Sequence, residues 1–417
     1  MADISYRERM IGNMPVTDNS IENTIETPIE TSIETPIETP IEITIEELAD
    51  LPRGTYVLYD VRDRVSYEYD SIPDAESCPE DELYEKAAVG SLPKEKLVLF
   101  CMHGTVSYSA AATLQKMGID AVSLKGGMGA WLKKNTMPED RSKEIERNLM
   151  TNKRFHKNLF SRFAKAIRDY ELLQPGDKVA VCISGGKDSM LMAKLFQELK
   201  RHDRFPFELE FIVMDPGYND LNRTLIENNA ASLGVPITVF ESTIFDVVDT
   251  VTDSPCYLCA RMRRGHLYKK AQEMGCNKIA LGHHYDDVIE TILMGMLWGG
   301  QMQTMMPKLH STNFEGMELI RPMYLIREDD IKAWRDANDL HFIQCACHFT
   351  DTCSSCRDDG SPVSKRMETK QLIKKLKETN PYVENNIFRS VENVNLATVI
   401  AYKQNGIKHS FLDEYDD

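Results

Sequence analysis

Residues 178–189 read KVAVCISGGKDS, and this stretch decides the fold of the larger part of the chain. Its first half is apolar enough for a buried strand, and its second half, SGGKDS, is a glycine-rich turn before an apolar-periodic helix. Two glycines let successive backbone amides turn inward around an anion, and the helix N-terminus adds partial positive charge. Lys187 adds a full charge, so the stretch predicts a phosphate-binding loop, which matches neither the Walker A pattern nor the dinucleotide fingerprint.

Strands and helices alternate beyond this loop. A helix is predicted at 190–199, and further strands are predicted at 209–214, 236–240 and 278–281, with helices between them. Strands that alternate with helices in this way form a parallel sheet covered on both faces. The sequence therefore predicts an α/β domain with a doubly wound parallel sheet.

The sequence GHHYDD at 282–287 follows the last of these strands. Side chains at the carboxyl ends of strands face the crevice in which such sheets bind ligands. We expect His283 to contact nucleotide phosphates and Asp286 or Asp287 to hold Mg²⁺ through oxygen ligands. The alternative is that one of the two carboxylates caps the helix that follows. Asp215, which ends the strand 209–214, is a further candidate at the same edge.

The cysteines favour metal ligation. Ten cysteines in a chain without a secretory signal indicate metal binding or thiol chemistry in a reducing compartment, rather than disulfides. Six of them occur in pairs, at positions 256 and 259, 345 and 347, and 353 and 356. Two arrangements stay open. Either Cys256, Cys259 and one later cysteine hold a [4Fe–4S] cluster with one open iron, or the four later cysteines form a closed zinc knuckle.

The N-terminal third predicts a second, smaller α/β unit. Strands are predicted at 56–60, 96–100 and 121–124, with an apolar-periodic helix at 107–117. The sequence CMHGTVS, which begins at Cys101, links the second strand to this helix. Such a loop directs backbone N–H groups at the sulfur and stabilises its thiolate.

Charge is distributed unevenly. The chain carries −16 in total, of which residues 1–50 contribute −10, whereas residues 141–168 carry +7. The whole-chain charge therefore does not exclude a polyanionic ligand on the basic segment, although a solvated helix face is the alternative. In residues 21–46 isoleucine recurs every fourth residue, followed each time by glutamate, and interspersed prolines predict an extended, disordered tether.

Membrane insertion and secretion are not expected. No apolar stretch approaches the ~18 residues that cross a bilayer. The N-terminus MADISYRERM lacks a basic region followed by an apolar core, which excludes a secretory signal, so a cytoplasmic location is expected.

The motifs of the larger domain resemble the tRNA 2-thiocytidine synthetase family, which consists of PP-loop ATP pyrophosphatases. SGGKDS, the Cys256-x-x-Cys259 pair and LGHHYDD are followed, in the family's order, by GGQMQTMMPKL (299–309), IRPMYLIREDDI (320–331) and IQCAC (343–347). The resemblance implies an adenine nucleotide alpha hydrolase-like fold and an ATP-dependent tRNA thiolase. It also implies a [4Fe–4S] cluster on Cys256, Cys259 and Cys345.

The smaller unit resembles a single rhodanese domain. The motifs are DVRD (60–63), SIPDA (71–75) and GGMGAW (126–131), together with the Cys101 loop. The resemblance implies that Cys101 carries a persulfide sulfur. Val106 stands where the rhodanese loop commonly has arginine.

These inferences assign the following sites. We expect catalytic roles for Cys101, Lys187 and Asp188. ATP would contact Ser184, Gly185, Gly186, Lys187, Asp188, Ser189, Asp215, Gly282, His283 and Asp287. Metals would be held by Cys256, Cys259 and Cys345 (cluster), by Asp286 (Mg²⁺) and by Cys347, Cys353 and Cys356 (Zn²⁺). Phosphates of tRNA would contact Lys153, Arg154, Lys157, Arg162 and Lys165.

We therefore expect five segments. They are an acidic tether (1–42), a rhodanese-like domain (43–138), a basic helical linker that docks RNA (139–174), a PP-loop domain (175–350) and a helical C-terminal extension (351–417). The expected reaction is ATP-dependent 2-thiolation of a tRNA cytidine, at position 32 of the anticodon loop. The expected partners are tRNA, a persulfide donor (a cysteine desulfurase or sulfide) and a second copy of the chain in a homodimer. The alternatives are thiolation of another tRNA base or of a small metabolite, or a sulfur-relay or redox protein without ATP turnover.

Overall fold

The computed structural model describes residues 41–136, 138–242, 244, 255–343 and 365–415. All of these belong to one unit, residues 40–417. The predicted acidic tether and the cysteines at 345, 347, 353 and 356 lie outside the described residues, apart from the last two residues of the tether.

The N-terminal domain is built on a five-stranded parallel sheet in the order β1–β5–β4–β2–β3. Its strands are β1 Glu42–Ile43, β2 Tyr56–Asp60, β3 Glu76–Ser77, β4 Lys96–Phe100 and β5 Ala121–Leu124. Its helices are α1 Ile45–Asp50, α2 Arg64–Tyr69, α3 Glu80–Ala88, α4 Thr105–Lys116 and α5 Gly127–Asn135. The three strands predicted from the sequence are confirmed. The central strand β4 reads KLVLF because helices cover both faces of a parallel sheet.

A helical segment connects the two domains. It consists of α6 Ser142–Thr151, α7 Lys153–Phe155, a π-helical turn His156–Phe160 and α8 Ser161–Asp169. Its apolar side is buried in the core of the second domain, and the residues concerned are Ile145, Leu149, Phe155, Leu159 and Phe163. The ammonium of Lys194, whose side chain is fully buried, donates to Glu146 over 2.6 Å and to the Leu233 carbonyl over 2.7 Å. The segment thus connects the two domains, as a helical linker, and also forms a packed layer of the second domain.

The second domain contains a six-stranded sheet in the order β10–β11–β9–β6–β7–β8. Its strands are β6 Lys178–Ile183, β7 Glu208–Asp215, β8 Ile237–Glu241, β9 Lys278–Ala280, β10 Lys308–His310 and β11 Glu318–Ile320. Five of them are parallel, as predicted. The edge strand β10 runs antiparallel to β11. A connection this short can only return the chain antiparallel, since a parallel crossover needs a dozen or more residues.

Helices surround this sheet and continue beyond it. They are α9 Lys187–Arg201, α10 Asp220–Ser232, α11 Pro255–Glu273, α12 Tyr285–Gly299, α13 Glu328–Ala337, α14 Lys365–Thr379 and α15 Val383–Ser390. The C-terminal extension, predicted to be helical, also contains a hairpin of β12 Ala401–Gln404 and β13 Ile407–Ser410. Among the described helices, none combines the length and the apolar character needed to cross a bilayer.

Strand β6 lies at the point where the strand order reverses. The chain continues from β6 to β7 on one side, and β9 pairs with β6 on the other. Loops leaving the carboxyl ends of two such neighbouring strands diverge and leave a crevice between them. The two motifs SGGKDS and GHHYDD follow β6 and β9, so the fold places them on either side of this crevice.

The two domains meet at the segment that precedes the late cysteines. The Tyr69 hydroxyl donates to the Ile343 carbonyl over 3.0 Å, and His341 Nδ1 lies 2.9 Å from an Asp70 carboxylate oxygen. The Trp131 ring contacts the His341 ring edge-on, with 4.6 Å between centroids. A polar and an aromatic contact therefore fix residues 341–343 against the N-terminal domain.

The Asp70–His341 contact predicts a pH-dependent stability. Burial lowers the pKa of His341, but the hydrogen bond and charge of Asp70 outweigh burial and raise that pKa above its ordinary value. The contribution to stability is therefore complete below about pH 6.5, the ordinary histidine pKa, and is lost as the pH rises through the raised pKa. We expect the thermal midpoint of the full chain to fall between pH 6 and pH 9, and Asp70→Asn to flatten this part of the profile.

The control is Asp339→Asn, since Asp339 lies 3.4 Å from the other ring nitrogen but its side chain is 88% exposed. Solvent screening makes an exposed partner weak, so this variant should keep the wild-type profile. Identical profiles for Asp70→Asn and the wild type would contradict the assignment.

Candidate active site

The loop between β6 and α9 has the geometry of an anion-binding turn. Gly185 has φ +87°, a left-handed conformation that favours glycine. A Cβ atom at this position would come within 2.5 Å of Ile226 Cγ1 and 3.0 Å of Ile343 Cδ1. Ser189 closes the turn, because its hydroxyl accepts from the Ser184 amide over 3.1 Å. The predicted glycine-rich turn is confirmed, and its close packing explains why it needs a glycine.

Lys187 begins the helix and is almost completely buried, with 4% of the residue exposed. Its ammonium lies 3.1 Å from Asp188 Oδ2 and 3.3 Å from Glu328 Oε1. Burial lowers the pKa of Lys187, but the two carboxylates outweigh burial and raise it. Burial likewise opposes ionisation of Glu328, yet Lys187 and its other lysine neighbours hold the pKa of Glu328 well below its ordinary value. The loop thus holds the charged Lys187 ammonium against two carboxylates. Phosphate groups are anions that can take the place of these carboxylates.

The loop after β9 touches the phosphate loop. A Cβ atom on Gly282 would lie 3.3 Å from the Ser189 amide nitrogen, so the two loops are in contact. Asp287 accepts from the His284 amide over 3.0 Å, as a cap of α12, and from Arg366 over 2.6 Å. The alternative interpretation of this motif, in which one carboxylate caps the helix, therefore holds for Asp287.

Asp286 is engaged by a different cation. Both of its carboxylate oxygens accept from the Arg327 guanidinium, and one also accepts from the Glu328 amide over 2.7 Å. Within the described ranges, three or more His, Cys, Asp or Glu side chains do not come together as a metal site. Protein cations thus occupy this carboxylate, and its assignment to Mg²⁺ stays a prediction.

The pKa values of the two histidines of this loop shift in opposite directions. Burial lowers the pKa of His283 to about 4, so its ring is neutral near pH 7. Among the described residues, nothing hydrogen-bonds the buried His283 Nδ1. Burial also opposes protonation of His284, but the carboxylates of Asp287 and Asp188 raise its pKa. His283 therefore offers a hydrogen bond to a ligand, and not an ionic contact.

Asp215 lies at the predicted edge of the sheet, but local contacts use its carboxylate. It accepts from the amides of Gly217 and Tyr218 over 2.9 and 2.7 Å, and from Arg223 over 2.6 Å. Burial raises the pKa of Asp215, but these donors outweigh it and lower the pKa. Asp215 thus shapes the loop after β7.

A cleft of about 910 Å³ opens beside the phosphate loop. The second domain lines it with residues of α9, α12, α13 and α14, and the N-terminal domain lines it with residues of α2. The sequence analysis missed four of these side chains, namely Tyr69, Arg327, Glu328 and Lys370, and it also missed Arg366, which lines a smaller cavity next to Lys187. Arg327 and Glu328 lie inside the quoted motif at 320–331, whereas Tyr69, Arg366 and Lys370 belong to no motif.

A smaller cavity of about 270 Å³ lies next to Lys187. It is lined by acids of α12 and α13 and by cations of α14. Arg366 lies 3.3 Å from Glu290, and Lys370 lies 2.5 Å from Glu328. Burial raises the pKa of Glu290 to about 7. The cavity thus joins cations of the C-terminal helix to the phosphate loop.

Cys101 lies in a cradle of hydrogen-bond donors in the N-terminal domain. Its sulfur accepts from the Gly104 amide over 3.2 Å and from the amide and hydroxyl of Ser107 over 3.5 Å each. Gly104 has φ +89°, and a Cβ atom there would lie 2.9 Å from the Gly126 amide nitrogen. Only 6% of Cys101 is exposed. These contacts agree with the loop geometry expected from the sequence.

The motif DVRD has a structural role beneath this loop. Asp60 is fully buried and accepts two hydrogen bonds from the Arg62 side chain, over 2.9 and 2.6 Å. The Ser71 hydroxyl donates to the same carboxylate over 2.8 Å. The bidentate pair of Asp60 and Arg62, together with Ser71, fixes the end of β2 against the chain at residue 71.

The structure describes only part of the cysteine constellation. Cys256 and Cys259 lie in the first turns of α11, Pro255–Glu273, and residues three apart lie on the same side of a helix. The later cysteines lie outside the described residues. Their assignments to a cluster and to zinc stay predictions.

The basic segment presents its cations in two ways. Lys153 and Lys157 are exposed. Arg154 instead donates to Asp330 over 2.9 Å, and Arg162 donates to the Leu325 carbonyl over 3.0 Å, while Lys165 pairs with Asp169. The apolar side of the segment packs on the second domain, and the hydrogen bonds of Arg154 and Arg162 add to this attachment. All five phosphate contacts stay predictions, and among these residues Lys153 and Lys157 are the exposed cations for which no ion pair is found within the described part of the chain.

Two family models match the chain. A PP-loop domain model matches residues 155–348, and a rhodanese-like domain model matches residues 44–134. Both resemblances inferred from the motifs are confirmed.

Relatives and solved structures resemble the chain to different degrees. A tRNA-cytidine(32) 2-sulfurtransferase of Anaeromyxobacter dehalogenans (strain 2CP-C) is 34% identical over 244 residues, which are 58% of this chain and 80% of the relative. The protein of the same name from Alkalilimnicola ehrlichii (strain ATCC BAA-1101 / DSM 17681 / MLHE-1) is 35% identical over 245 residues, 58% of this chain and 74% of the relative. The structure of the U34-tRNA thiolase NcsA from Methanococcus maripaludis with its [4Fe-4S] cluster aligns with a TM-score of 0.43 and 23% identity, over 56% of this chain and 76% of that one. So weak a structural likeness is no evidence of shared chemistry.

The packing of Gly185 predicts the effect of adding a methyl group. Gly185→Ala should cost the left-handed backbone penalty of about 1–2 kcal/mol. It should also cost about 1–3 kcal/mol for overpacking against Ile226. The matched control is Gly176→Ala, because Gly176 also has φ +87° but nothing lies within 4 Å of its added Cβ. We expect urea unfolding, followed by circular dichroism, to show a larger loss for Gly185→Ala, and equal losses would contradict the packing argument.

Proposed function

The chain belongs to the tRNA-cytidine(32) 2-sulfurtransferase family, and we propose that it uses ATP to replace the C2 oxygen of a tRNA cytidine with sulfur, at position 32 of the anticodon loop. The observation that carries this proposal is the cleft, whose walls are the phosphate loop and helix α2 of the domain that contains the cradled Cys101 thiol. A site for activating a substrate and a site for carrying sulfur are thus parts of adjoining domains in one chain.

The chemistry requires activation because the C2 oxygen is a poor leaving group. The oxygen attacks the α-phosphorus of ATP, the bond to the β-phosphate oxygen breaks, and pyrophosphate leaves. A sulfur nucleophile then adds to C2, and the carbon–oxygen bond breaks as AMP leaves. Activation of this kind divides one difficult substitution into two easier steps.

The chain's own residues would serve the first step. Lys187 would exchange Asp188 and Glu328 for the phosphates and neutralise charge as pyrophosphate separates. The amides of the loop 184–186 would bind phosphate oxygens, and the neutral ring of His283 would contribute one hydrogen bond. We propose Mg²⁺ as the companion of ATP, with Asp286 as a candidate ligand after Arg327 moves away.

The sulfur would arrive through Cys101. A persulfide on its sulfur would keep the donors of Gly104 and Ser107 around it. Cys256 and Cys259 fit two positions of a [4Fe–4S] cluster by their donor chemistry and spacing, and with Cys345 they would hold a cluster whose fourth iron supplies a place for sulfide. We propose that a persulfide of a cysteine desulfurase gives its outer sulfur to the Cys101 thiolate and leaves as a thiol. Attack of a second thiol on the Cys101 sulfur would then form a disulfide and release the outer sulfur as sulfide. Sulfide itself, as the alternative donor, would reach the cluster without passing through Cys101. We also propose Zn²⁺ at Cys347, Cys353 and Cys356, and a homodimer.

Lys187 supplies the decisive test. We expect Lys187→Ala to lower tRNA-dependent pyrophosphate release and thiolation about 100-fold or more, the loss typical of removing one group that stabilises the transition state. The iron content of the anaerobic protein should not change. The matched control is Lys200→Ala, an exposed lysine in the last turn of the same helix. Nucleoside mass spectrometry of the tRNA measures the product.

Several outcomes would count against the proposal. Thiolation that survives Lys187→Ala would exclude activation at this loop. Pyrophosphate release that does not depend on tRNA would indicate a small-molecule substrate, and sulfur transfer without ATP consumption would indicate a relay protein.

The exposed lysines predict a salt effect. If Lys153 and Lys157 each contact a tRNA phosphate, the slope of log affinity against log salt should become less steep by about 1.5–2 in the variant with both replaced by alanine. The control is the double variant at Lys94 and Lys116, which are exposed on the N-terminal domain. Electrophoretic mobility shifts at four salt concentrations measure the slope, and an unchanged slope would remove these two contacts from the RNA interface.

A further inference from the structure

We propose that Tyr69, a residue of the N-terminal domain, is a positioning residue of the nucleotide site: its ring holds the Lys187 ammonium at the phosphate loop. The inference rests on the proposed use of ATP by this loop. It makes the sulfur-carrying domain a structural part of the ATP site.

The contacts of Tyr69 place its ring beside the loop. The Lys187 ammonium lies 5.2 Å from the ring centroid. The hydroxyl donates to the Ile343 carbonyl over 3.0 Å, and it lies 3.8 Å from a Cβ atom built on Gly186. The Tyr69 carbonyl accepts from Arg335, whose guanidinium carbon lies 5.9 Å from the same ring. Four neighbours in the second domain thus hold this ring in one orientation.

The ring differs in kind from the other partners of Lys187. Asp188 and Glu328 carry full negative charges that compete with phosphates for the ammonium and repel them. The face of an aromatic ring attracts a cation through its quadrupole, without a net charge. When phosphates replace the carboxylates, the ring can keep its contact with the ammonium. Tyr69 would therefore keep Lys187 in place in the nucleotide-bound state.

The position of Tyr69 in the cleft supports this role. Helix α2 contributes Arg64, Val65, Glu68 and Tyr69 to the wall of the 910 Å³ cleft that the phosphate loop also lines. Tyr69 is the last residue of this helix, and the next residue, Asp70, binds His341. The contact between the domains thus fixes the end of α2 and sets the distance between ring and ammonium.

A series of substitutions at position 69 in the full chain separates the ring from the hydroxyl. Tyr69→Phe keeps the aromatic face and removes the hydroxyl, with its bonds to the Ile343 carbonyl and the Lys187 amide. Because the ring that faces the ammonium remains, we expect ATP binding within about twofold of the wild type. Tyr69→Leu removes the face, and we expect the dissociation constant of ATP–Mg²⁺, measured by titration calorimetry, to rise about 5- to 10-fold, a loss in the range of a desolvated cation–π contact. The KM for ATP in tRNA thiolation should rise by the same factor, with a much smaller change in kcat.

Tyr67→Phe is the matched control. Tyr67 lies on the same helix, and its hydroxyl donates to the Ala75 carbonyl inside the N-terminal domain over 2.9 Å. The variant removes one hydroxyl from α2 without touching the second domain. Its ATP affinity should equal that of the wild type.

Fluorinated phenylalanines at position 69 provide a test that does not depend on the Leu variant folding. Each added fluorine weakens the negative face of the ring and leaves its shape nearly unchanged. The dissociation constant of ATP–Mg²⁺ should rise with every fluorine. A flat series, a Leu variant with wild-type affinity, or equal losses in Tyr69→Phe and Tyr69→Leu would each overturn the inference.

The proposed function and the role of Tyr69 can be overturned independently. Wild-type protein that binds ATP but thiolates no RNA would overturn the proposed function, and the fluorine series would still decide the role of Tyr69. Wild-type protein that thiolates tRNA with a flat fluorine series would overturn only the inference about Tyr69.

Discussion

A lysine ammonium that is almost completely buried at the start of helix α9, in the wall of the cleft, is the constraint on which the site depends. A buried charge is costly unless it is paired and hydrogen-bonded, so Lys187 requires Asp188 and Glu328 beside it. Glu328 in turn lies at the start of α13 and needs cations of its own, which α14 provides through Lys370. These ion pairs link α9, α13 and α14 at the carboxyl edge of the sheet.

Carboxylates farther from Lys187 are also paired with cations. Asp286 is paired with Arg327, and Asp287 is paired with Arg366. A bound triphosphate adds several negative charges to a cleft that is already neutralised by internal pairs. It can enter only if cations leave their carboxylates, which couples the phosphate loop to the C-terminal helix α14. The cleft would thus bind a triphosphate through cations released from internal ion pairs, and not through an excess of exposed cations.

The sequence was sufficient where function depends on residues adjacent in the chain. The turn around Gly185 and the cradle around Cys101 were predictable, because a strand, a glycine and a helix N-terminus together determine local geometry. Tyr69 and Arg366 were not, since they reach the site from distant segments and carry no local pattern. The basic segment combines both cases, and its contacts with tRNA stay a prediction. Its charge was visible in the sequence, but the burial of its apolar side, which uses Arg154 as an anchor, depends on tertiary packing.

The burial of Cys101 has a consequence for the lifetime of the persulfide that we propose there. In a thiol-rich compartment an exposed persulfide is destroyed by exchange with small thiols, at a rate set by their access to the sulfur. Cys101 is 6% exposed and its sulfur accepts hydrogen bonds from Gly104 and Ser107, so a persulfide at this residue would be shielded from that attack. The proposed persulfide would therefore persist between turnovers, so that the supply of sulfur and its consumption need not coincide in time.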